Sequence, residues 1–339
     1  MSPRVAAAAA TDGGGAAHPW MHEPELAAAG AFHGLIAIDK PTGVTSHDVV
    51  VRVRRRLRSP GAGHLGTLDP DASGLLVVAL GAATRAIPVW QGGEKTYEAT
   101  LRLGVITKSQ DLSGEVIEER PVTVDEAQIR SASRSLVGDI DQVPPMVSAL
   151  KVGGQRLHAL ARRGIEVDRA ARRVHVSAWE WFGFALPEAT FRVRCSSGTY
   201  VRTLAHDLGM GLGTGAAIRS LRRLRSEPFD LSRAVTLREL DERPAAEVLR
   251  RAGTPLDLAL ASLPGVTLDP AAAAAVGAGG RPSVDPGHAP VDGGPRSVAL
   301  RGAGGQVLAL GELRADPDRA GRALACPQVV FPWAVRGAR

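Results

Sequence analysis

The sequence contains little cysteine and no long apolar run. Among 339 residues there are only two cysteines, Cys195 and Cys326. Two are too few for a disulfide framework, and they lie too far apart in the sequence for a metal site. No apolar run approaches the roughly 20 residues of a membrane-spanning helix, and the alanine run near the start is too short and too weakly apolar for a secretory signal. We therefore expect a cytoplasmic protein with no membrane segment and no metal.

Lysine is also scarce, with four lysines among 41 basic residues, so arginine carries most of the net charge of +6. Single arginine clusters are as often solvated helix faces as binding sites. Three clusters within one domain instead favour binding to a polyphosphate such as RNA. They are VRVRRRLR (51–58), ARRGIEVDRAARR (161–173) and IRSLRRLR (218–225).

Hydrophobic periodicity predicts a mixture of strands and helices. Apolar residues alternate in KTYEATLRLG (95–104) and ATFRVRC (189–195), which is typical of strands. Past about residue 255 the chain is rich in Gly, Ala and Pro, and its short apolar pieces predict a small β-rich domain. The overall pattern indicates an α+β fold. We also predict strands from Gly34 and at 75–80, and helices with Ser46 as N-cap, from Thr123, from Thr199 to Gly209, and over 216–225.

The segment GAGHLGTLDPDASGLLVVALGAATR (61–85) places one histidine and two aspartates among turn-forming residues. It lacks the Gly-Lys-Ser/Thr ending of a phosphate-binding P-loop. Its Gly-x-Gly-x-x-Gly has no clear strand before it, so a dinucleotide-binding motif is poorly supported. On residue types alone, Asp69-Pro70 is most simply an ordinary turn, and His64 a structural histidine.

The same segment closely resembles the region around the catalytic aspartate of the bacterial TruB family of tRNA pseudouridine synthases. Further blocks resemble that family in the same order: GLIAIDKPTGVTSHDVV, KTYEATLRLG, VPPMVSALKVGGQRLHALARRGIEV and CSSGTYVRTLAHDLG. The resemblance implies a mixed, largely antiparallel sheet flanked by helices, followed by a small β-rich PUA-like domain that binds RNA. We expect a disordered tail at 1–30 (or a misplaced start codon), a catalytic domain at 31–254 and the PUA-like domain at 255–335.

The resemblance also implies an activity, the isomerisation of uridine 55 in the T-loop of tRNA to pseudouridine. This reaction needs no cofactor. It assigns the role of nucleophile to Asp69, with Arg202 as its cationic partner and Tyr200 as a pocket residue that helps remove the C5 proton. Whether the carboxylate attacks the sugar or assists elimination to a glycal stays open. Tyr97 would stack on the flipped-out base, His64 would occupy the space around the flipped nucleotides, and Leu221 would pack near the uracil.

Several alternatives stay open at this point. The chain could be an RNA-binding or RNA-folding module with secondary catalysis, or a synthase of the same fold with another RNA target. A hydrolytic glycosidase, which would need a paired carboxylate, is poorly supported. Asp71, two residues from Asp69, is unusual for the family and could raise the pKa of Asp69. We expect a monomer that binds the T-arm of tRNA and needs no protein partner. Other departures from the family are Leu65, Val147 and Ser197.

Overall fold

The computed structural model describes residues 32–336 apart from residues 149, 153 and 162. The expected tail at 1–30 lies outside the described residues. The strands, in chain order, are β1 (Gly34–Lys40), β2 (Ala62–His64), β3 (Ser73–Leu80), β4 (Lys95–Leu103), β5 (Val105–Thr107), β6 (Val116–Glu119), β7 (Gly138–Gln142), β8 (Lys151–Val152), β9 (Gln155–Arg156), β10 (Arg172–Ala185), β11 (Glu188–Cys195), β12 (Ala216–Ser226), β13 (Phe229–Asp230), β14 (Val235–Thr236), β15 (Gly253–Pro255), β16 (Gly265–Thr267), β17 (Ser283–Val284), β18 (Val298–Arg301), β19 (Val307–Ala315) and β20 (Ala323–Val330). The helices are α1 (Ser46–Arg56), α2 (Ile87–Gln91), α3 (Glu126–Ser133), α4 (Leu157–Ala161), α5 (Val201–Gly211), α6 (Leu237–Glu242), α7 (Ala245–Ala252), α8 (Leu256–Ala259), α9 (Pro270–Gly277) and α10 (Pro332–Arg336).

A large mixed sheet forms the body of the molecule. Its central path runs β14-β1-β3-β12-β4-β11-β10-β7, with β2, β13 and β15 paired at its margins. The β1–β14 and β3–β12 pairs are parallel, whereas the other pairs of this sheet are antiparallel. The parallel contact between β3 and β12 lies mid-sheet, where the loop before β3 meets the arginine-rich strand β12.

Strand β3 is buried on both faces of the sheet, which explains its continuous apolar run. Leu76 and Val78 face the core beneath α1, where Val49 and Val53 pack against them. The valine-rich face of α1 is buried as the sequence predicts. The N-cap is Thr45 rather than the predicted Ser46, and Thr45 forms a capping box with Asp48.

The other half of the sheet has its own apolar core. Alternate residues of β4, including Leu101 and Leu103, pack with β11 against α5. Helix α5 contributes Val201, Leu204 and Leu208 to this core, on one face as predicted. It continues to Gly211, two residues past the predicted end, and α3 is capped by Asp125 with Gln128 rather than by Thr123 with Glu126.

The segment at 216–225 is a strand, so the helix predicted there is wrong. Residues Ala216–Ser226 form β12, which pairs with β4 on one side and with β3 on the other. Register shifts between Ile218 and Ser220 and between Arg223 and Arg225 interrupt the strand's alternation. Each shift moves the following side chains to the other face, and the resulting apolar spacing imitates that of a helix.

A smaller sheet follows in the order β16-β18-β19-β20-β17. The apolar pieces predicted as strands near the C-terminus form β18, β19 and β20. Helix α9 packs against the core of this sheet. Other side chains of the sheet, including Leu310, join the core on the far face of β1 and β3. The molecule therefore has the predicted α+β fold with a small β-rich C-terminal unit. Within the described ranges, none of the helices combines the length and apolar character needed to span a membrane.

Candidate active site

The loop between β2 and β3 carries Asp69, and hydrogen bonds from buried side chains hold its backbone in place. Lys40 is fully buried and donates three hydrogen bonds, to the carbonyl oxygens of Pro41, Val44 and Pro70 at 2.8–3.1 Å. Ser46, at the start of α1, exchanges hydrogen bonds with both backbone groups of Leu68. The loop is therefore held at the residues that flank the aspartate on both sides. Burial lowers the pKa of Lys40 to about 8, against the opposing charges of Asp69 and Asp71.

Arg202 forms an ion pair with Asp69 from helix α5. It lies in the first turn of α5, only 4% of its side chain is exposed, and its Nε lies 3.0 Å from Asp69 Oδ2. The two η nitrogens are held by other acceptors, Nη1 by the Ser109 carbonyl at 2.6 Å and Nη2 by the Val147 carbonyl at 2.9 Å. This buried guanidinium is thus fixed in one orientation, with its Nε edge beside the Asp69 carboxylate.

Two opposing effects act on the Asp69 carboxyl group. Removal from water is the largest, and it raises the pKa of Asp69 because the charged form loses hydration. The charge of Arg202 and its hydrogen bond lower that pKa, as does the charge of Lys40. The net pKa lies above the ordinary value, and the Asp69 side chain remains 40% exposed at the mouth of a cavity.

The cavity beside Asp69 has a volume of about 240 Å³. Of the residues predicted for the site, Asp69, Arg202 and Leu221 line it together. Tyr97 and Tyr200 are the only tyrosines of the chain. Burial raises the pKa of both, and the charge of Asp69 raises it further, so both hydroxyls lie within electrostatic reach of the aspartate.

His64 lies apart from these residues. It ends β2, pairs in register with Val78, and does not line the cavity. Its Nδ1 atom is buried without a hydrogen-bond partner among the described residues. Burial and the charges of Arg223 and His47 lower the pKa of His64, which favours the neutral imidazole.

Asp111 is a cavity residue that sequence reasoning missed. Its Oδ2 lies 3.3 Å from Arg202 Nη1, and its Oδ1 accepts hydrogen bonds from the side chains of Ser109 and Ser113 at 2.7 Å. The negative charge of Asp111 raises the pKa of Asp69, whereas Asp71 is exposed and is not among the groups that shift it. Asp111 accepts a hydrogen bond from the backbone N–H of Ser113, as an aspartate at a turn commonly does. Nothing in the local sequence indicates its contact with Arg202, 91 positions away.

A second, wider feature lies along α1, which we name the α1 groove. It has a volume of about 870 Å³. Near α6, Arg52 pairs with the Asp241 carboxylate, and Arg56 donates hydrogen bonds to the carbonyl oxygens of Asp241 and Arg243. The side chains of Arg55 and Arg58 are exposed and have no acidic partner within ion-pair distance in the described part of the chain. The lining residues are His47, Asp48, Val51, Arg52, Arg55, Arg56, Arg58 and Asp241. Across residues 32–336, the described His, Cys, Asp and Glu side chains form no cluster of three able to hold a metal ion.

Comparison with known proteins identifies the class to which this fold and site belong. The chain superposes on a crystal structure of a Cbf5-Nop10-Gar1 complex with a TM-score of 0.67 and 30% identity, over 88% of this chain and 85% of that one. A structure of an H/ACA RNP bound to a substrate RNA containing 2′-deoxyuridine gives a TM-score of 0.66 and 28% identity, over 91% and 87%. A mixed sheet of this topology with a β-rich C-terminal unit is the pseudouridine synthase fold.

Sequence comparison narrows the class to one family. Residues 54–201 match the TruB family pseudouridylate synthase N-terminal domain, and residues 202–261 match the tRNA pseudouridylate synthase B C-terminal domain. The chain is 48% identical to tRNA pseudouridine synthase B of Opitutus terrae, over 64% of this chain and 91% of that protein. It is 43% identical to the Burkholderia mallei protein of the same name, over 86% and 87%. The chain belongs to the TruB family of pseudouridylate synthases.

Proposed function

We propose that the protein converts uridine 55 in the T-loop of tRNA to pseudouridine, with Asp69 as the nucleophile. The observation that carries this proposal is the pairing of Asp69 with a buried, fully engaged arginine at the edge of a cavity. A carboxylate beside a reacting sugar carbon must be ionised and aimed. Arg202 opposes the rise that burial causes in the pKa of Asp69. The hydrogen bonds that hold the loop keep the carboxylate in position. The relatives named as tRNA pseudouridine synthases support tRNA as the substrate.

The reaction is an isomerisation in which every atom is conserved. The bond between ribose C1′ and uracil N1 breaks, the base turns, and C1′ joins C5. The C5 hydrogen leaves as a proton, and a proton is gained at N1. The Asp69 carboxylate either bonds to C1′ or removes a ribose proton during elimination to a glycal. Both routes require the ionised form and the orientation that Arg202 gives it.

The other site residues are proposed to hold the base. Tyr97, which packs against the same core as Leu221, is proposed to offer an aromatic ring to a uracil that must be held while it turns, and Leu221 to supply apolar contact from the cavity wall. Tyr200, at the N-cap of α5, is proposed to assist removal of the C5 proton. A uridine stacked within a folded T-loop must be flipped out to reach this cavity. We assign His64, at the end of β2 and outside the cavity, to the space around the flipped nucleotides.

Two further surfaces are proposed to bind the body of the tRNA. Exposed arginines of the α1 groove are complementary in charge to phosphates. Contacts between arginine and phosphate position an RNA without reading its sequence. Residues 255–335 are proposed as a separate RNA-binding unit of the PUA type, following a catalytic unit at 31–254. The small sheet has its own core, which supports this division.

Tritium release from tRNA carrying 5-³H-uridine tests the proposal, since the C5 hydrogen leaves only when C5 becomes the glycosidic carbon. We expect release from a T-arm transcript by the natural chain, and none when uridine 55 is replaced by cytidine. Asp69→Asn should lower the single-turnover rate by about 10⁴-fold or more while tRNA affinity stays within a few-fold. A folded, tRNA-binding natural chain that releases no tritium would overturn the enzymatic proposal and favour a purely RNA-binding role.

A further inference from the structure

Arg223 in β12 is a buried arginine whose three guanidinium nitrogens donate to the Asp69 loop and to β3, the strand that follows it. Only 3% of the residue is exposed. Its Nε donates to the Leu75 carbonyl at 2.7 Å, Nη1 to the Thr67 carbonyl at 3.3 Å and Nη2 to the Gly66 carbonyl at 3.1 Å. The acceptors lie on both sides of Asp69, two before it and one after it. A single side chain on β12 therefore spans the loop that carries the aspartate.

The backbone of Arg223 is pressed against the same loop. Strands β12 and β3 pair in parallel with Arg223 opposite Gly74, and Gly74 has φ +100°. A Cβ atom at Gly74 would lie 2.2 Å from the Arg223 carbonyl oxygen, well inside contact distance. Only glycine permits this approach, and the approach brings the guanidinium within reach of the loop carbonyls.

Arg223 is also the cross-strand neighbour of a tyrosine on β4. Tyr97 lies directly opposite Arg223 in the β4–β12 register, so the two residues are neighbours on adjacent strands. The positive charge of Arg223 lowers the pKa of Tyr97 and of His64, so it acts at short range on two residues assigned to the base and its surroundings. One cation is thus hydrogen-bonded to the backbone on both sides of Asp69 and lies next to Tyr97 on the adjacent strand.

We infer that Arg223 is a positioning residue that sets the Asp69 carboxylate and the Tyr97 ring in a fixed mutual geometry. This inference rests on the proposed function, in which Asp69 acts on the sugar and Tyr97 holds the base of the same nucleotide. Both groups must meet one substrate at a set separation, and a misplacement of about 1 Å costs on the order of 10²-fold in rate. The donors of Arg223 bond to backbone carbonyls rather than to the Asp69 carboxylate, so it acts through the loop and the tyrosine.

Arg223→Lys tests the inference, because lysine keeps the charge but cannot reach three separated carbonyls with a planar fork. Arg233→Lys is the matched control. Arg233 also donates to three backbone carbonyls, those of Arg250, Arg251 and Gly253, but these lie away from the Asp69 loop. We expect Arg223→Lys to slow single-turnover tritium release by about 10²-fold with tRNA affinity within about threefold of the control. The Arg233→Lys rate should equal that of the natural chain.

A spectroscopic readout separates positioning from a loss of stability. Because the chain has two tyrosines, ring-labelled tyrosine gives two NMR signals, which Tyr200→Phe assigns. Arg223→Lys should move the Tyr97 signal, and Arg233→Lys should move neither. A folded Arg223→Lys protein with an unmoved Tyr97 signal, or with a rate within threefold of the control, would overturn the inference. Activity in the natural chain is measured in the same series, so failure of the inference is distinguishable from failure of the proposed function.

A second test leaves Arg223 itself unchanged. In the Asp69→Asn chain bound to T-arm RNA, the Arg223 Nε–H signal should stay protected from solvent exchange, because the loop is held during binding. Loss of that protection in the complex would mean that Arg223 releases the loop, and would overturn the inference.

Discussion

The candidate active-site cleft, meaning the Asp69 loop and the cavity beside it, uses arginine in the opposite way to the α1 groove. In the cleft, Arg202 and Arg223 are 4% and 3% exposed, and each donates to several protein acceptors. In the groove, Arg55 and Arg58 are exposed and have no acidic partner within the described residues. A buried cation whose donors are all engaged can fix geometry and shift a neighbouring pKa. An exposed cation with free donors can attract phosphate.

The role of an arginine therefore depends on its position in the fold rather than on its membership of an arginine-rich cluster in the sequence. Arg223 and the groove arginines belong to clusters that look alike in sequence. The cleft arginines should therefore control the rate of the bound complex. The groove arginines should control how tightly tRNA binds and how strongly salt weakens that binding.

The largest expected effect in the cleft is that of Arg202→Lys. Lysine retains a positive charge but loses the Nε atom that pairs with Asp69 and the hydrogen bonds to the Ser109 and Val147 carbonyls that hold the guanidinium. We expect single-turnover tritium release to fall by about 10²–10³-fold, the range for removal of one preorganised donor. Affinity for tRNA should stay within about threefold. A loss of affinity equal to the loss of rate would place Arg202 in substrate binding instead.

Gly74→Ala should destabilise the protein by about 3 kcal/mol, because alanine is strained at this φ and its Cβ would meet the Arg223 backbone. Denaturant unfolding measures the loss. Gly61→Ala is the control at the start of the same motif, where a Cβ meets nothing within 4 Å. It should change the free energy of unfolding by less than about 1 kcal/mol. Equal effects at both positions would contradict the close approach of β3 and β12.

Asp111→Asn should alter the pH dependence of the rate. The Asp111 charge raises the pKa of Asp69, so its removal lowers that pKa. Since Asp69 must be ionised, the rate falls as pH drops through its pKa, and this acid limb should move to lower pH in the variant. At neutral pH we expect about a 10-fold slower rate, because Arg202 loses an orienting acceptor. An acid limb that moves to higher pH would contradict the assigned sign.

The smallest effect is expected in the groove. Arg55→Ala combined with Arg58→Ala should weaken tRNA binding a few-fold and reduce the dependence of log affinity on log salt by about one per arginine. The rate at saturating tRNA should not change. Arg238→Ala, which removes an exposed arginine that pairs with Glu242, is the control and should leave the salt dependence intact. An unchanged slope in the double variant would remove the groove from the tRNA-binding surface.

The fold class and the strands with clear alternation could be predicted from the sequence, because their side chains alternate between core and solvent. Strand β12 could not, because two register shifts disturb its period. Asp69 and Arg202 were expected from a family resemblance, and their contact is present in the structure. Asp111 and Arg223 could not be assigned from the sequence. Their roles depend on partners brought together by the parallel contact of β3 with β12 and by the approach of α5 to the Asp69 loop.

The most direct test of this contrast measures rate and affinity for two proteins side by side. Single-turnover tritium release at saturating tRNA and equilibrium tRNA binding are compared for Arg202→Lys and for the Arg55→Ala, Arg58→Ala double variant. We predict crossed results: the cleft variant loses about 10²–10³-fold in rate and keeps its affinity, and the groove variant weakens binding and keeps its rate. If both quantities fall together in either protein, the division of tasks between buried and exposed arginines is wrong.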